Sequence, residues 1–406
     1  GSAFADTINV PGDYPAIQTA INAATSGDTI LVSPGTYFEH DINFNGKHLT
    51  IESTSGPLLT TIDIAGKGGG FILSNLSEHS KVQGFTMKNG TGALINAGGS
   101  FSMTISDCRF LDSRSAVYCS TPNATIEDCQ FSGLTGRAID LGAAASGTIT
   151  GCTFTEIVNQ SQQYLLDVTG GEVNVTSCLF EYNECGVLRA STSGTTNIQE
   201  CTFRNNTHQT FNLAVIRLTV SSSGDQITMQ DCIIQDNSNI KSDTGVVEVH
   251  AFNTGTSLSV TNTVIERNTS GQFGAIYATG SGCLIDQCII AGNNGDKISG
   301  IYCSNGEPTI SNTYFCENNN RDHGQYAGFA YRLHRQYPVR PEVLRKTRQP
   351  PLSCNHRTPE HRPPIRGHRG LLNPEFAADY ALGDLCFPLI ADPQHQRNIP
   401  LGRRDT

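Results

Sequence analysis

The sequence predicts an all-β protein, a right-handed parallel β-helix of roughly 10–12 coils with a capping helix at its N-terminal end. The first observation behind this is a short phrase that returns about nine times. Ile105-Ser106-Asp107-Cys108-Arg109-Phe110, Ile126-Glu127-Asp128-Cys129-Gln130-Phe131 and Val175-Thr176-Ser177-Cys178-Leu179-Phe180 are three of its forms. Its anchors are Cys108, Cys129, Cys152, Cys178, Cys201, Cys232, Thr263, Cys288 and Thr313, at spacings of 21, 23, 26, 23, 31, 31, 25 and 25. A period of that size marks a repeat architecture in which stacked units share one core. The second observation is alternation: each copy places apolar residues at every other position, so each is a strand with one face inward. A β-sandwich also has many short strands, but it has no cause to repeat one phrase in register.

From the N-terminus, Gly1-Ser2 reads as a cloning remnant, and Ala3-Phe4-Ala5 fits a small-x-small signal-cleavage pattern with Asp6 as the mature start. Residues 6–39 form the predicted cap. Thr7-Ile8-Asn9-Val10 is a strand; Ile17, Ala20, Ile21 and Ala24 then share one helical stripe, with Pro15 in the first turn. Gly27-Asp28 ends the helix, Thr29-Ile30-Leu31-Val32 is a strand, and Pro34-Gly35-Thr36-Tyr37 makes the next turn.

This opening, from Asp13-Tyr14-Pro15-Ala16-Ile17-Gln18 through Ala23-Ala24 to Gly27-Asp28-Thr29-Ile30 and Pro34-Gly35-Thr36-Tyr37, resembles that of pectin methylesterases and many pectin-lyase-like secreted proteins. The resemblance covers about one tenth of the chain and implies the β-helix fold. It does not extend to activity. The Gln-Asp-Thr and Asp-Phe-Ile-Phe-Gly-like stretches of the esterases do not occur here, and Leu401-Gly402-Arg403 is followed by Arg404 rather than an aromatic residue. The later coils, with Phe-x-x-Asn forms and Gly274-Ala275-Ile276-Tyr277, are also similar to the repeats of polymorphic outer-membrane adhesins.

Residues 40–320 are the predicted β-helix. Its early coils are looser: Leu49-Thr50-Ile51, Thr61-Ile62-Asp63-Ile64, and a stretch from Val82 to Met87 in which Phe85 takes the anchor position. Three residues after the Phe-type position stands an asparagine: Asn183, Asn206, Asn237, Asn268, Asn293 and Asn318. Asparagine tolerates the left-handed conformation, so these are predicted to make a tight turn. Residues 321–406 break the pattern. They hold 13 Arg, 6 of the 11 His and 11 of the 17 Pro. Pro350-Pro351 and Pro363-Pro364 oppose regular structure. The segment reads as disordered or as translation in a wrong frame, with a native basic tail as the alternative.

Charge follows the same boundary. Residues 1–320 carry 13 Lys and Arg against 29 Asp and Glu, a net of −16, while residues 321–406 carry 14 against 8, a net of +6. An acidic body argues against nucleic acid as a partner. No apolar run reaches membrane-span length. The recurring Cys, replaced by Thr at two anchors, predicts a ladder of small buried thiols rather than a metal site, because ligand spacings such as Cys-x-x-Cys are missing. A bridge among Cys185, Cys283, Cys316, Cys354 and Cys386, which lie off the ladder, stays open.

Each coil has a further strand, and aligning these gives the candidate site. An inward row is predicted at Leu94, Val117, Ile139, Leu166, Val187, Val215, Val246, Ile276 and Ile301. The next row, predicted to face out, is Ile95, Tyr118, Asp140, Asp167, Leu188, Ile216, Val247, Tyr277 and Tyr302. Asp140 and Asp167 then stand on adjacent coils, roughly 5 Å apart. Two such carboxylates repel; they could hold Ca²⁺, or act as acid and base in glycoside hydrolysis, with Tyr118 stacking on a sugar ring. Otherwise they are a solvated acidic face. The same alignment puts Arg189, Arg217 and Glu248 inside, either as a paired internal network or, if twisted outward, as a spot that binds carboxylates of an acidic polysaccharide. His250 is read as a surface histidine.

The expected protein is therefore secreted or attached to the cell surface, contacts carbohydrate or acts as an adhesin without catalysis, and needs no cofactor, with Ca²⁺ the one ion the residues allow. The alternatives are a polysaccharide hydrolase or lyase of pectin-lyase-like fold, and a structural stalk.

Overall fold

The computed structural model describes residues 5–318 apart from Ala144, 160–162, 209–211, 253–254, Ser281 and Glu307, together with the backbone of Tyr326–Gly328. The chain divides into two units, residues 1–333 with 386–406 and His334–Leu385, and the second lies wholly outside the described residues. Most of the predicted tail is therefore outside them as well.

The described residues of the first unit form a parallel β-helix of about 12 turns, right-handed as expected. Three sheets of 13, 12 and 12 strands run its length, and every neighbour in each sheet is one coil away and parallel. They are named A, B and C here, in the order in which a coil visits them. One coil is Met103–Ser106 in sheet A, Arg109–Leu111 in sheet B and Ser115–Cys119 in sheet C. Tyr326–Gly328, beyond the predicted boundary at residue 320, pairs as a further parallel strand of sheet C against Ile301–Asn305.

At the N-terminal end, the helix Ile17–Ala23 buries Ile17, Ala20 and Ile21 against the first coil. Ala16 is its N-cap, which leaves Pro15 just outside the first turn. The free N–H groups of Ile17 and Gln18 donate to the Glu39 carboxylate at 2.8 and 2.9 Å, so a side chain from the next turn closes the helix start. Asp28, almost fully buried, accepts from the backbone N–H of Asp6 and Thr25 and from the Thr25 hydroxyl.

The core is built of columns. Phe110, Phe131, Phe154, Phe180 and Phe203 stack with ring centroids 5.0, 4.7, 4.5 and 4.7 Å apart, and Ile234, Ile265 and Ile290 continue the column. The anchor thiols form a second column. Each donates to the carbonyl two residues earlier, as Cys129 Sγ does to Glu127 O at 3.2 Å and Cys232 Sγ to Gln230 O at 3.2 Å. Thr263 and Thr313 make the same bond with their hydroxyls, both at 2.8 Å. That shared bond explains why the position accepts Cys or Thr. The residue before the anchor takes positive φ (Asp107, Asp128, Ser177, Glu200, Asp231, Asn262), which turns the chain from sheet A to sheet B. Cys185 and Cys283, left open above, are free and buried.

The asparagines correct the sequence reading. The positive φ falls one residue earlier, at Tyr182, Asn205, Asp236, Arg267 and Glu317. Asn183, Asn206, Asn237, Asn268, Asn293 and Asn318 are instead a buried ladder. Each Nδ2 from Asn183 to Asn293 donates to the Oδ1 of the next at 2.8 to 3.0 Å. The same Nδ2 donates to a strand carbonyl in the preceding coil, for example Asn237 to Phe203 O at 2.9 Å. Each Oδ1 from Asn206 to Asn318 also accepts the backbone N–H of the preceding asparagine, and that of Asn183 accepts from Ile157 N–H. An amide has two donors and an acceptor oxygen of two lone pairs, so every valence is used from Asn206 to Asn293.

Two outcomes follow from these columns. Asn237→Ala strands the Asn206 N–H and the Phe203 carbonyl inside the wall, and is expected to lower the unfolding free energy in urea by about 3 kcal/mol. Burial pushes the Cys129 and Cys232 thiols up, and those of Cys283 and Cys288 to about 12. All the anchor thiols are free and buried, out of reach of a reagent, so alkylation of the native protein read by peptide mass spectrometry should leave Cys108, Cys129, Cys152, Cys178, Cys201, Cys232 and Cys288 unmodified until denaturant is added.

Candidate functional site: a charged row on one sheet

The outward row of sheet C reads, coil by coil, Tyr118, Asp140, Asp167, Arg189, Arg217, Glu248, Tyr277 and Tyr302. Neighbours are one strand spacing apart, about 4.8 Å. Asp140 and Asp167 are paired on adjacent coils, with Tyr118 one coil before them. Arg189, Arg217 and Glu248 belong to this same row. The alignment that placed them inside is off by one residue on three coils, where Leu188, Ile216 and Val247 take the inward place opposite Leu166 and Ile276. On entering one of these strands Val187 and Leu188 both donate to the Val215 carbonyl, at 2.8 and 3.1 Å. One residue of slip moves every side chain to the other face. A similar slip puts Ile95, predicted to face out, opposite Val117 and fully buried.

The charges pair along the row. Arg137, which no repeat position marks, bonds Asp140 through Nη1 and reaches Asp167 Oδ2 through Nη2 at 3.2 Å. The repulsion expected between the two carboxylates is thus met by one shared cation. Arg189 grips Asp167 with both prongs, Nε to Oδ1 at 2.7 Å and Nη2 to Oδ2 at 2.6 Å. Asp167 is only 1% exposed, so it is a buried ion with two guanidinium partners rather than part of a solvated acidic face. Farther on, Arg217 Nε lies 3.2 Å from Glu248 Oε2, and His250 Nε2 lies 2.7 Å from Oε1. His250, read from the sequence as a surface residue, is buried behind that bond.

Aromatic side chains flank the charges. Tyr118, 41% exposed, edges a groove of about 440 Å³ that Arg114, Arg137, Asp140 and Gln163 also line. At the other end, Phe252 stacks on His250 at 5.1 Å, and Phe273 stacks on Tyr302 at 4.0 Å with Tyr277 beside both. The Lys297 ammonium sits 5.8 Å from the Phe273 centroid. Tyr277 and Tyr302 were legible in the outward row; Phe252 and Phe273 come from loops, and no periodicity marks them.

A metal fits this arrangement poorly. Arg137 occupies the gap between Asp140 and Asp167 that Ca²⁺ would need, and among the described residues no group of three or more His, Cys, Asp or Glu gathers to hold a cation. Nor is any helix among them long and apolar enough to cross a membrane.

The fold makes this chain a right-handed parallel β-helix protein. In agreement, the family described as a right handed beta helix region matches residues 115–271, less than half of the chain. Among solved structures it is similar to the Agl-KA catalytic domain, at 13% identity over 82% of this chain and 69% of that one, with a TM-score of 0.48. It is also similar to PfbA, a surface adhesin of Streptococcus pneumoniae, at 14% identity over 80% and 93%, with a TM-score of 0.48. A third is the A-module of the Azotobacter vinelandii mannuronan C-5 epimerase AlgE6, at 14% identity over 81% and 100%, with a TM-score of 0.46. A comparison with curated proteins gives no match. Likeness at this level says nothing of what this chain binds.

The bridge made by Arg137 is testable by itself. Arg137→Gln removes the cation that Asp140 and Asp167 share, leaving Arg189 on Asp167 alone, and should cost about 2 kcal/mol in urea unfolding. Adding Asp140→Asn should restore part of that loss, which a double-mutant cycle reads directly.

Proposed function

We propose that the protein is an extracellular or surface-attached β-helix that binds an extended glycan along sheet C without chemically altering it. The observation that carries this is the outward row itself, with aromatic faces at both ends and paired, hydrogen-bonding charges between them. From Tyr118 to Tyr302 the row crosses seven strand spacings, about 34 Å in all. A long, shallow, polar surface with exposed rings suits a linear chain of sugars better than a compact small molecule, which is usually taken up in an enclosed apolar pocket. An adhesive role is compatible with this surface.

The geometry of the carboxylates favours binding over hydrolysis. A general acid or base must reach its proton on the substrate. Asp167 is closed off by Arg137 and Arg189, and Asp140 is held by Arg137. Neither is placed as the free partner that a glycosidase pair requires.

A glycan array on the whole chain, followed by titration calorimetry with the best oligosaccharide, tests the reading. Tyr118→Ala and Phe252→Ala remove exposed rings and leave the core alone, so the melting temperature should hold while affinity falls, together, by about tenfold or more. Unchanged affinity would move the site off sheet C. New reducing ends or unsaturated products on prolonged incubation would replace the binding reading with the hydrolase or lyase.

A further inference from the structure

The row contains two like-charged contacts, and the structure treats them differently. Directly opposed like charges on neighbouring strands destabilise a sheet. The acidic contact, Asp140 against Asp167, is bridged by Arg137. The basic contact, Arg189 against Arg217, is in register in the same way. Among the described residues no anion bridges it: Arg189 uses Nε and Nη2 on Asp167, Arg217 uses Nε and Nη2 on Glu248, and each points its bonds away from the other. Nη1 of each takes part in no hydrogen bond among those residues. Both side chains remain more than one third exposed, 37% and 39%.

A second, independent observation falls at the same place. Tyr164 opens the strand that carries Asp167, is 2% exposed, and its hydroxyl finds no hydrogen-bond partner. Buried hydroxyls are nearly always bonded, because leaving one bare costs much of its hydration energy. Tyr164 pairs in register with Gly186, on the strand that carries Arg189, and the charges that act on its hydroxyl are those of the row. Burial pushes it well above the usual tyrosine range, the Glu248 carboxylate pushes the same way, and the Arg217 and Arg189 guanidinium groups oppose them. It therefore stays a neutral O–H donor.

We propose that Arg189, Arg217 and Tyr164 form an oxyanion site, in which one carboxylate or sulfate group takes the two free Nη1 groups and the Tyr164 hydroxyl. Such a group does for the basic contact what Arg137 does for the acidic one. Planar guanidinium forks suit oxygens of either shape. The anion has two sources: an acidic substituent on the glycan of the preceding section, in which case the site rests on that reading and sets its substrate class, or a free small anion.

The test uses the whole chain and three probes in calorimetry at low salt: sodium sulfate, a uronic-acid hexasaccharide, and the same hexasaccharide as its neutral methyl ester. The inference expects the acidic hexasaccharide, sulfate, or both to bind with an affinity that falls as salt is raised. Tyr164→Phe deletes only the unpartnered hydroxyl, so the fold should keep its melting temperature while anion affinity drops by about tenfold. Arg217→Lys keeps the charge beside Glu248 and loses the fork, and should weaken the anion similarly. Binding of sulfate alone assigns the site to a free anion; preference for the acidic over the esterified hexasaccharide assigns it to the glycan. Equal affinity for acid and ester, with no sulfate binding, overturns the oxyanion site and leaves the glycan reading standing. Anion affinity that Tyr164→Phe does not change overturns it too.

Discussion

In a parallel stack held in register, the nearest neighbour of each side chain is its own counterpart one coil on. Any residue that recurs must therefore bond or pack with a copy of itself at one strand spacing. Few side chains satisfy this. Phenylalanine does so by stacking, as in the column from Phe110 to Phe203. Asparagine does so because its amide is donor and acceptor at once, so a ladder from Asn183 to Asn318 closes on itself while also tying down strand carbonyls. The anchor thiols avoid the problem, since each bonds to a main-chain carbonyl of its own coil. Ladders of this kind hold backbone groups that a turn would otherwise leave bare.

Charge is what the constraint forbids. A repeated Asp or Arg repels its copy, and among the described residues the inward columns hold apolar, Cys, Thr and Asn side chains instead. The outward row of sheet C departs from this with two acids in succession, two arginines in succession, and then an acid. Each like-charged contact needs a counter-charge from outside the row. Arg137, two residues before Ile139 and off the strand, supplies one. An arrangement that requires help from neighbouring groups is not what a scaffold position selects for stability alone, since apolar residues would serve there at lower cost. This is the physical ground for proposing the row as a binding surface.

The repeat, the anchor phrase and the capping helix were legible because each depends on local periodicity. Ile17, Ala20 and Ile21 fall on one stripe and are buried as a stripe must be. The row of the site was only half legible. Tyr118, Asp140, Asp167, Tyr277 and Tyr302 were aligned correctly, while Arg189, Arg217 and Glu248 were shifted inward. The reason is that an apolar residue follows the small one at each strand entry, Val187 after Gly186 and Val246 after Gly245, and looks as though it begins the alternation. Only the pairing shows that Val187 falls between the Tyr164–Gly186 and Leu166–Leu188 pairs, so that Leu188 takes the inward place opposite Leu166. The asparagines misled for a related reason: their turn propensity is real, but the left-handed residue is the preceding one, and the amide is used instead to bond its own copies.

The geometry of the coil also bears on why the proposed site lies on sheet C. Sheets A and B are joined by two residues in coil after coil, as between Ser106 and Arg109, Gln199 and Thr202, or Gln230 and Ile233. That turn is fixed by its left-handed residue and its anchor, and leaves no room to vary. The passage from sheet B to sheet C is free of this. It takes three residues between Leu111 and Ser115 but eleven between Arg204 and Ile216. Insertion there changes the rim of the sheet without disturbing the columns, because loop length costs little once the ends are held. The uneven spacing of the anchors, from 21 to 31, is largely this one passage lengthening and shortening. A binding surface on such a scaffold gains its particular walls where the chain can grow, and gains a rigid floor where it cannot. The rows of sheet C lie on that floor, directly beside the passage that varies.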